Sequence, residues 1–153
     1  MYLCTQQMRT MFSKTCIYAM KTMIYLAIKS KEGVAYVSVV DVSEAIDSPK
    51  HFTAKILQQL SKANLLNSQR GPNGGFFLPT ESGVSLADIV RAIDGNQLLD
   101  GCILGFKECS ELRPCPAHHK LQSVRDYLKG TLTSTNIEEL SEVVLKENGF
   151  LKM

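Results

Sequence analysis

Apolar residues recur at helical spacing from the thirteenth position onward. Ile17, Met20, Ile24, Ala27 and Ile28 share one stripe that stops at Gly33. The spacing predicts an amphipathic helix with Ser13 as its cap. Residues 34–37 read as a short extended link. Ser38, with Asp41 three residues on, resembles a capping box and predicts a short helix over 39–46. Asp47-Ser48-Pro49 breaks that helix, and Pro49 suits the first position of the next, over about 50–63. There Phe52, Ile56, Leu57 and Leu60 form a buried stripe. Lys50, His51, Thr53, Ala54, Lys55, Gln58, Gln59 and Lys62 fall on the other face. Two short helices joined by a tight break make a helix-turn-helix pattern.

The period then changes. Residues 65–70 read as a strand, Gly71-Pro72-Asn73-Gly74-Gly75 as a turn whose glycines can take positive φ, and Phe76-Phe77-Leu78 as the return strand. A hairpin in that place is a wing. Ser85 with Asp88 predicts a helix through Leu86, Ile89, Val90 and Ile93 that ends at Asp94-Gly95. No periodicity is evident over 95–116. A long helix follows over about 117–132, where Leu121, Val124, Leu128 and Leu132 form a coiled-coil-like seam expected to pair with a second copy. Thr135-Asn136-Ile137-Glu138 predicts the cap of a last helix to about 145.

The expected fold is therefore mainly α with a small β-hairpin wing. Residues 1–10 form an N-terminal extension, 11–96 a winged helix-turn-helix domain, and 97–116 a cysteine-rich loop. Residues 117–147 hold the dimerisation and C-terminal helices, and 148–153 a tail.

Charge sharpens this picture. The net charge is only +2, but residues 1–80 carry +5 and residues 81–153 carry −3. A basic first half points to a polyanionic partner. Lysine, glutamine and threonine on the second helix suit phosphates and base edges, and Arg70 with Asn73 would reach the duplex from the wing. The glycine-rich turn is followed by no Lys-Ser/Thr pair, which argues against a phosphate-binding loop of the nucleotidase type. No apolar run approaches the roughly 18 residues of a membrane span, and the first ten residues lack a signal-peptide core. The expected location is the cytoplasm.

Five cysteines occur, at 4, 16, 102, 109 and 115, and reduced thiols are expected in that compartment. Three of them lie on the aperiodic segment with the spacing C-x6-C-x5-C-x2-H, ending at His118. Thiolates suit iron–sulfur clusters, zinc and cuprous copper. Zinc ribbons bring cysteines in C-x2-C pairs, and none occurs here. Wide gaps on a loop fit the divergent corners of a cluster. Cys102, Cys109 and Cys115 leave one ligand to find: His118 is the natural fourth, with His119 and Cys16 as alternates. Lys107 and Arg113 nearby would depress thiol pKa, which also suits a thiol or zinc switch without a cluster. A cysteine enzyme would need a separate base and orienting carboxylate, and no such constellation is visible, so the chain is not expected to be an enzyme.

Three segments carry a resemblance. Phe12-Ser13-Lys14 with Tyr18-Ala19-Met20, the run from Pro49 to Leu57, and Arg70-Gly71-Pro72-Asn73-Gly74-Gly75-Phe76 resemble the IscR/NsrR/CymR family of bacterial winged-helix regulators, over roughly residues 11–145. The three-cysteine loop is similar to that of its cluster-binding branch. The resemblance implies a homodimer built on the long helix, and a palindromic DNA operator read by the second helix and the Arg70 wing. It implies a [2Fe–2S] or [4Fe–4S] cluster on Cys102, Cys109 and Cys115, with His118 placed as the histidine ligand of IscR-like members. The first cysteine gap is one residue longer than in the best-known members. Ile17 stands where NsrR-like members use a ligating aspartate, and Ala54 where IscR has a specificity-tuning glutamate.

Overall fold

The structure, a computed structural model, describes residues 11–79 and 81–147. The expected extension with Cys4, and the expected tail, lie outside the described residues.

The helices that start at Lys14, Val39, Leu86 and Ile137 begin where a side chain satisfies a free N–H group. Helix α1 (Lys14–Lys31) starts at Ser13, whose hydroxyl accepts from the Cys16 N–H at 3.0 Å. Lys29 and Lys31 in its last turn complement the helix dipole. Helix α2 (Val39–Ala45) has the full reciprocal box between Ser38 and Asp41. Asp47, at φ 52°, turns the chain into α3 (Lys50–Lys62). Pro49 sits one position before the helix proper, and its carbonyl accepts from Phe52 and Thr53. Helix α4 (Leu86–Asp94) has a second full box, Ser85 with Asp88, and ends at Gly95. A four-residue turn of helix, α5 (Gln97–Asp100), precedes the cysteine loop. Helix α6 (His118–Ser134) and helix α7 (Ile137–Glu147) complete the chain. The last cap falls one residue later than expected. Asn136 accepts from the Glu139 N–H at 2.8 Å, while the Thr135 hydroxyl turns back to the Thr131 carbonyl.

The wing is larger than the sequence pattern indicates. Strands β1 (Asn67–Gln69) and β2 (Gly75–Phe77) pair antiparallel, with Ser68 opposite Phe76. Val37, in the expected link, bridges the free edge of β2 through two 2.9 Å hydrogen bonds with Phe76. This close approach explains Gly75, where an added Cβ would lie 2.5 Å from the Val37 carbonyl oxygen. Positive φ was the expected role of the turn glycines. Only Gly71 among the three adopts it; Gly74 and Gly75 are required for space.

Two cores hold these elements. The main core joins Met23, Leu26 and Ala27 of α1, Ile56, Leu57 and Leu60 of α3, and Ile89 of α4. Ile137 of α7, fully buried, belongs to the same core. Helix α7 thus lies along α1, tied by Lys31, whose ammonium sits 3.0 Å from both Glu142 Oε1 and the Glu138 carbonyl. The second, smaller core gathers Cys16, Ala87, Val90, Leu99 and Leu132, with Leu128 packed against it.

That second core corrects the expected seam on α6. Leu132 (6 % exposed) and Leu128 turn into their own chain, because α6 packs on α4 and α5. Leu121 is half-buried beside the cysteine loop. Of the four seam residues only Val124, 59 % exposed, faces outward, next to Tyr127 at 79 %.

Candidate DNA interface and cysteine centre

Helix α3 presents a cationic face because its apolar residues all turn inward. Lys50, His51, Lys55, Gln58, Gln59 and Lys62 are exposed on it, and Arg70 and Asn73 are exposed on the wing. Gln58, Lys62 and Arg70 line one groove between α3 and the hairpin, with Ser68 and Gln69 on its floor. Among the described residues, no carboxylate pairs with Lys50, Lys55, Lys62 or Arg70. Their charge is available to a phosphate backbone. Two expected contacts need correction. Thr53 is fully buried and its hydroxyl donates to the Pro49 carbonyl at 3.2 Å, so it cannot reach a groove. Gln59 is exposed, but its amide donates to the Ala92 carbonyl of α4 at 3.3 Å.

The three cysteines converge. Their Sγ atoms lie within 4.8 Å of one another, and Cys102 Sγ is 3.6 Å from Cys115 Sγ. The loop is folded back by a Cys102–Gly105 turn, Gly105 standing at φ 77°, and by paired backbone bonds between Ser110 and Arg113. The Cys115 N–H donates to Cys109 Sγ at 3.4 Å. His118, at the first turn of α6, brings Nδ1 to 3.0 Å from Cys109 Sγ. On its far side Nε2 lies 3.3 Å from Glu111 Oε1, which also accepts from Gln122 at 3.0 Å.

Electrostatics separates the thiols. Burial works against ionising Cys102, but the backbone N–H groups of Phe106 and Leu104, with Cys115 and Cys109, outweigh it and bring its pKa down to about 7. Cys109 lies on the other side of that shared site. The Cys115 N–H favours its thiolate, but burial and the neighbouring sulfurs raise its pKa on balance. Glu111 is held below the usual carboxylate range, first by its hydrogen bond to His118.

The model of the Rrf2 family, described as iron-dependent transcriptional regulators, matches residues 12–143. The chain belongs to the Rrf2 family. Among its relatives, an HTH-type transcriptional regulator of Aquifex aeolicus is 30 % identical over 135 residues, covering 86 % of this chain and 92 % of that protein. The HTH-type transcriptional regulator IscR of Photorhabdus laumondii is 30 % identical over 124 residues, covering 80 % and 74 %. Among solved structures, CymR, the global cysteine regulator of B. subtilis, superposes with a TM-score of 0.66 at 28 % identity, covering 86 % of this chain and 95 % of that one. The mainly helical fold with its two-stranded wing is the Rrf2 winged-helix fold, and Rrf2 proteins are DNA-binding transcription regulators, not enzymes. Among the described residues, no helix is long and apolar enough to cross a membrane.

In this Rrf2 chain the donor set fits a thiophilic metal group: three soft sulfurs converge with no carboxylate among them, and one imidazole nitrogen, His118 Nδ1, lies beside the Cys109 sulfur. A tetrahedral metal with bonds of about 2.3 Å to sulfur sets two thiolates about 3.7 Å apart. Cys102 and Cys115, at 3.6 Å, have the spacing of two ligands on one metal atom. Cys16 does not join them. It is fully buried in the second core, and burial, followed by the Asp94 charge, pushes its pKa up to about 12. His119 stacks edge-on against the His118 ring and groups with Glu111, not with the sulfurs.

Three residues of the site had escaped the sequence pattern. Glu111 backs His118 across the loop. Arg125 reaches from α6 to the Gly101 carbonyl at 3.4 Å. Asp94 accepts from the Ser13 N–H at 2.9 Å, tying the end of α4 to the start of α1. A fourth, Gln122, alone carried a local signal, four residues after His118 and so on the same helix face.

Proposed function

We propose that this Rrf2 protein is a cytoplasmic repressor whose operator binding is controlled by an iron–sulfur cluster held by Cys102, Cys109, Cys115 and His118, and that it reports redox, nitric oxide or iron–sulfur status. The observation that carries it is the convergence of three Sγ atoms on one loop, with His118 Nδ1, at the head of α6, 3.0 Å from that of Cys109. The name of the Photorhabdus relative, IscR, and the family's description as iron-dependent support it. When bound, a [2Fe–2S] or [4Fe–4S] centre supplies redox chemistry and sensitivity to oxidants. The protein's part is to present the sulfurs together and to lodge His118 at the head of α6. On this reading a homodimer formed across α6 sets two α3 helices and two Arg70 wings about one DNA turn apart on a palindromic operator. Lys50, Lys55, Lys62 and Arg70 hold phosphates, while His51, Gln58 and Asn73 face base edges.

Protein purified without oxygen is the test, with its visible spectrum and with iron and sulfide counts. A broad absorption band with matching iron and sulfide, both lost in Cys109→Ala, is the expected result. Unchanged DNA affinity with and without the cluster would refute control by it. A second reading is favoured by one observation: the 3.6 Å separation of Cys102 and Cys115 suits a single zinc ion or a thiol pair as it stands. Colourless protein with one zinc per chain, or with no metal and a reversible disulfide, would establish that reading instead.

A further inference from the structure

The two nitrogens of His118 face different partners. Nδ1 points at Cys109 Sγ, 3.0 Å away, and Nε2 points at Glu111 Oε1, 3.3 Å away. The same Glu111 oxygen accepts from the Gln122 amide at 3.0 Å, and Gln122 lies one turn along α6 from His118. The His118 side chain is only 8 % exposed, so the ring has little freedom, whereas that of Glu111 is 68 % exposed. The edge of His119 closes one face of the ring at 5.1 Å between centroids.

We propose that Glu111 is a positioning residue for the cysteine centre: it accepts the Nε2–H of His118 and so leaves the Nδ1 lone pair directed at the metal. A carboxylate on the far nitrogen of a metal-binding histidine fixes both tautomer and ring orientation and makes the near nitrogen a better donor. Gln122 holds the carboxylate in place, making a chain from Gln122 through Glu111 and His118 to the sulfurs. The inference rests on His118 being a ligand. It adds which nitrogen binds and which residue selects it. Coordination runs through Nδ1, because Nε2 would reach the sulfurs only after the ring had turned and the bond to Glu111 had broken.

The test uses the full-length protein, reduced and metal-free, with Co²⁺ as the probe under anaerobic conditions. Glu111→Ala, Glu111→Gln and His118→Ala are compared with the parent, with the sulfur-to-cobalt charge-transfer band as one readout. The other is the ¹⁵N spectrum of labelled histidine in the metal-free protein. The parent shows His118 as the Nε2–H tautomer. Glu111→Ala mixes the tautomers and weakens Co²⁺ binding by about 10- to 100-fold while keeping the charge-transfer band. Glu111→Gln, which keeps a carbonyl oxygen for Nε2–H, recovers most of the affinity. Affinity in Glu111→Ala within about twofold of the parent, with the tautomer unchanged, overturns the proposal. So does Co²⁺ bound without the sulfur band, which would place the ion on Glu111, His118 and His119. His118→Ala separates the two levels. If it leaves affinity and spectrum unchanged, His118 is not a ligand and the donor set of the proposed function itself falls. If it weakens binding while Glu111→Ala does not, only the role of Glu111 falls.

Discussion

Leu132 decides whether α6 is a free-standing dimer helix or part of the domain it follows. The perturbation is Leu132→Ala, with Val124→Ala as its solvent-exposed counterpart on the same helix. Leu132 is 6 % exposed and packs with Cys16, Ala87, Val90 and Leu99. Removing its isopropyl group withdraws three carbon groups at roughly 0.8 kcal/mol each, a transfer loss of about 2 kcal/mol. The cavity left among small neighbours adds to this, for a total near 3 kcal/mol. In a domain of this size that lowers the unfolding midpoint by about 6–12 °C. Val124 is 59 % exposed, and its truncation should move the stability of the chain by no more than about 0.5 kcal/mol. Urea unfolding over a range of protein concentrations gives the first quantity, and sedimentation gives the association constant. The expected pattern is reciprocal: Leu132→Ala destabilises at every concentration with little change in association, and Val124→Ala weakens association with little change in fold. A cost under about 1 kcal/mol for Leu132→Ala, or one appearing only as lost association, would return Leu132 to the dimer seam and refute the packing argument.

Lys55→Ala should flatten the dependence of log affinity on log salt by about one unit, whereas Thr53→Val should leave that slope unchanged, because its hydroxyl is spent on the Pro49 carbonyl. Gly75→Ala sets a Cβ 2.5 Å from the Val37 carbonyl oxygen. It should cost about 1–3 kcal/mol and weaken DNA binding while the helical signal of circular dichroism persists. The Cys16 thiol is neutral in the fold up to about 12, against an ordinary value of 9.0. Its contribution to stability is therefore complete below pH 9 and is lost as pH rises from there towards 12, since only the unfolded chain ionises in that window. Cys16→Ala should flatten stability against pH in that range, as measured by urea unfolding. In metal-free reduced protein near neutral pH, Cys102, at about 7, should be alkylated first and Cys16 last, as followed by peptide mass spectrometry.

The helices and their starts were legible because caps are local chemistry. Ser13, Ser38 with Asp41, and Ser85 with Asp88 each act within four residues, and each caps where the sequence places it. The stripe on α3 was also legible, except at Thr53. Residue type put it on the polar side, but it lies three and four residues before Ile56 and Leu57, on the face that is buried. Long-range placement was not legible. Nothing near Val37 says that it will edge the wing, and nothing near Ile137 says that α7 will fold back onto α1. The seam on α6 failed for the same reason: a heptad-like spacing shows that a face is apolar and leaves open what covers it. At the cysteine centre the sulfurs and His118 were identifiable by spacing. Glu111 was not, since six residues of irregular chain separate it from the imidazole it supports.

For the state of the cysteine loop to alter DNA reading, α6 must shift against α1, and the second core that both enter defines how. Both ends of the loop are anchored to α6: His118 begins the helix, while Arg125 and Lys129 hold Gly101 and Asp100 before the first cysteine, the latter at 2.5 Å. A change of ligation therefore pulls on one helix from two points. Leu132, in the last turn of that helix, shares the second core with Cys16 of α1. Cys16 sits one turn into α1, beside the Ser13 cap that Asp94 holds from the end of α4. Because this core is small and close-packed, it transmits displacement instead of absorbing it. Helix α1 also forms the floor under α3, so a shift there tilts the cationic face. A Lys129→Ala variant tests the chain of contacts, because it frees one anchor without touching a thiol. The difference in DNA affinity between the two ligation states should shrink while the metal content stays the same. A full difference would place the coupling elsewhere.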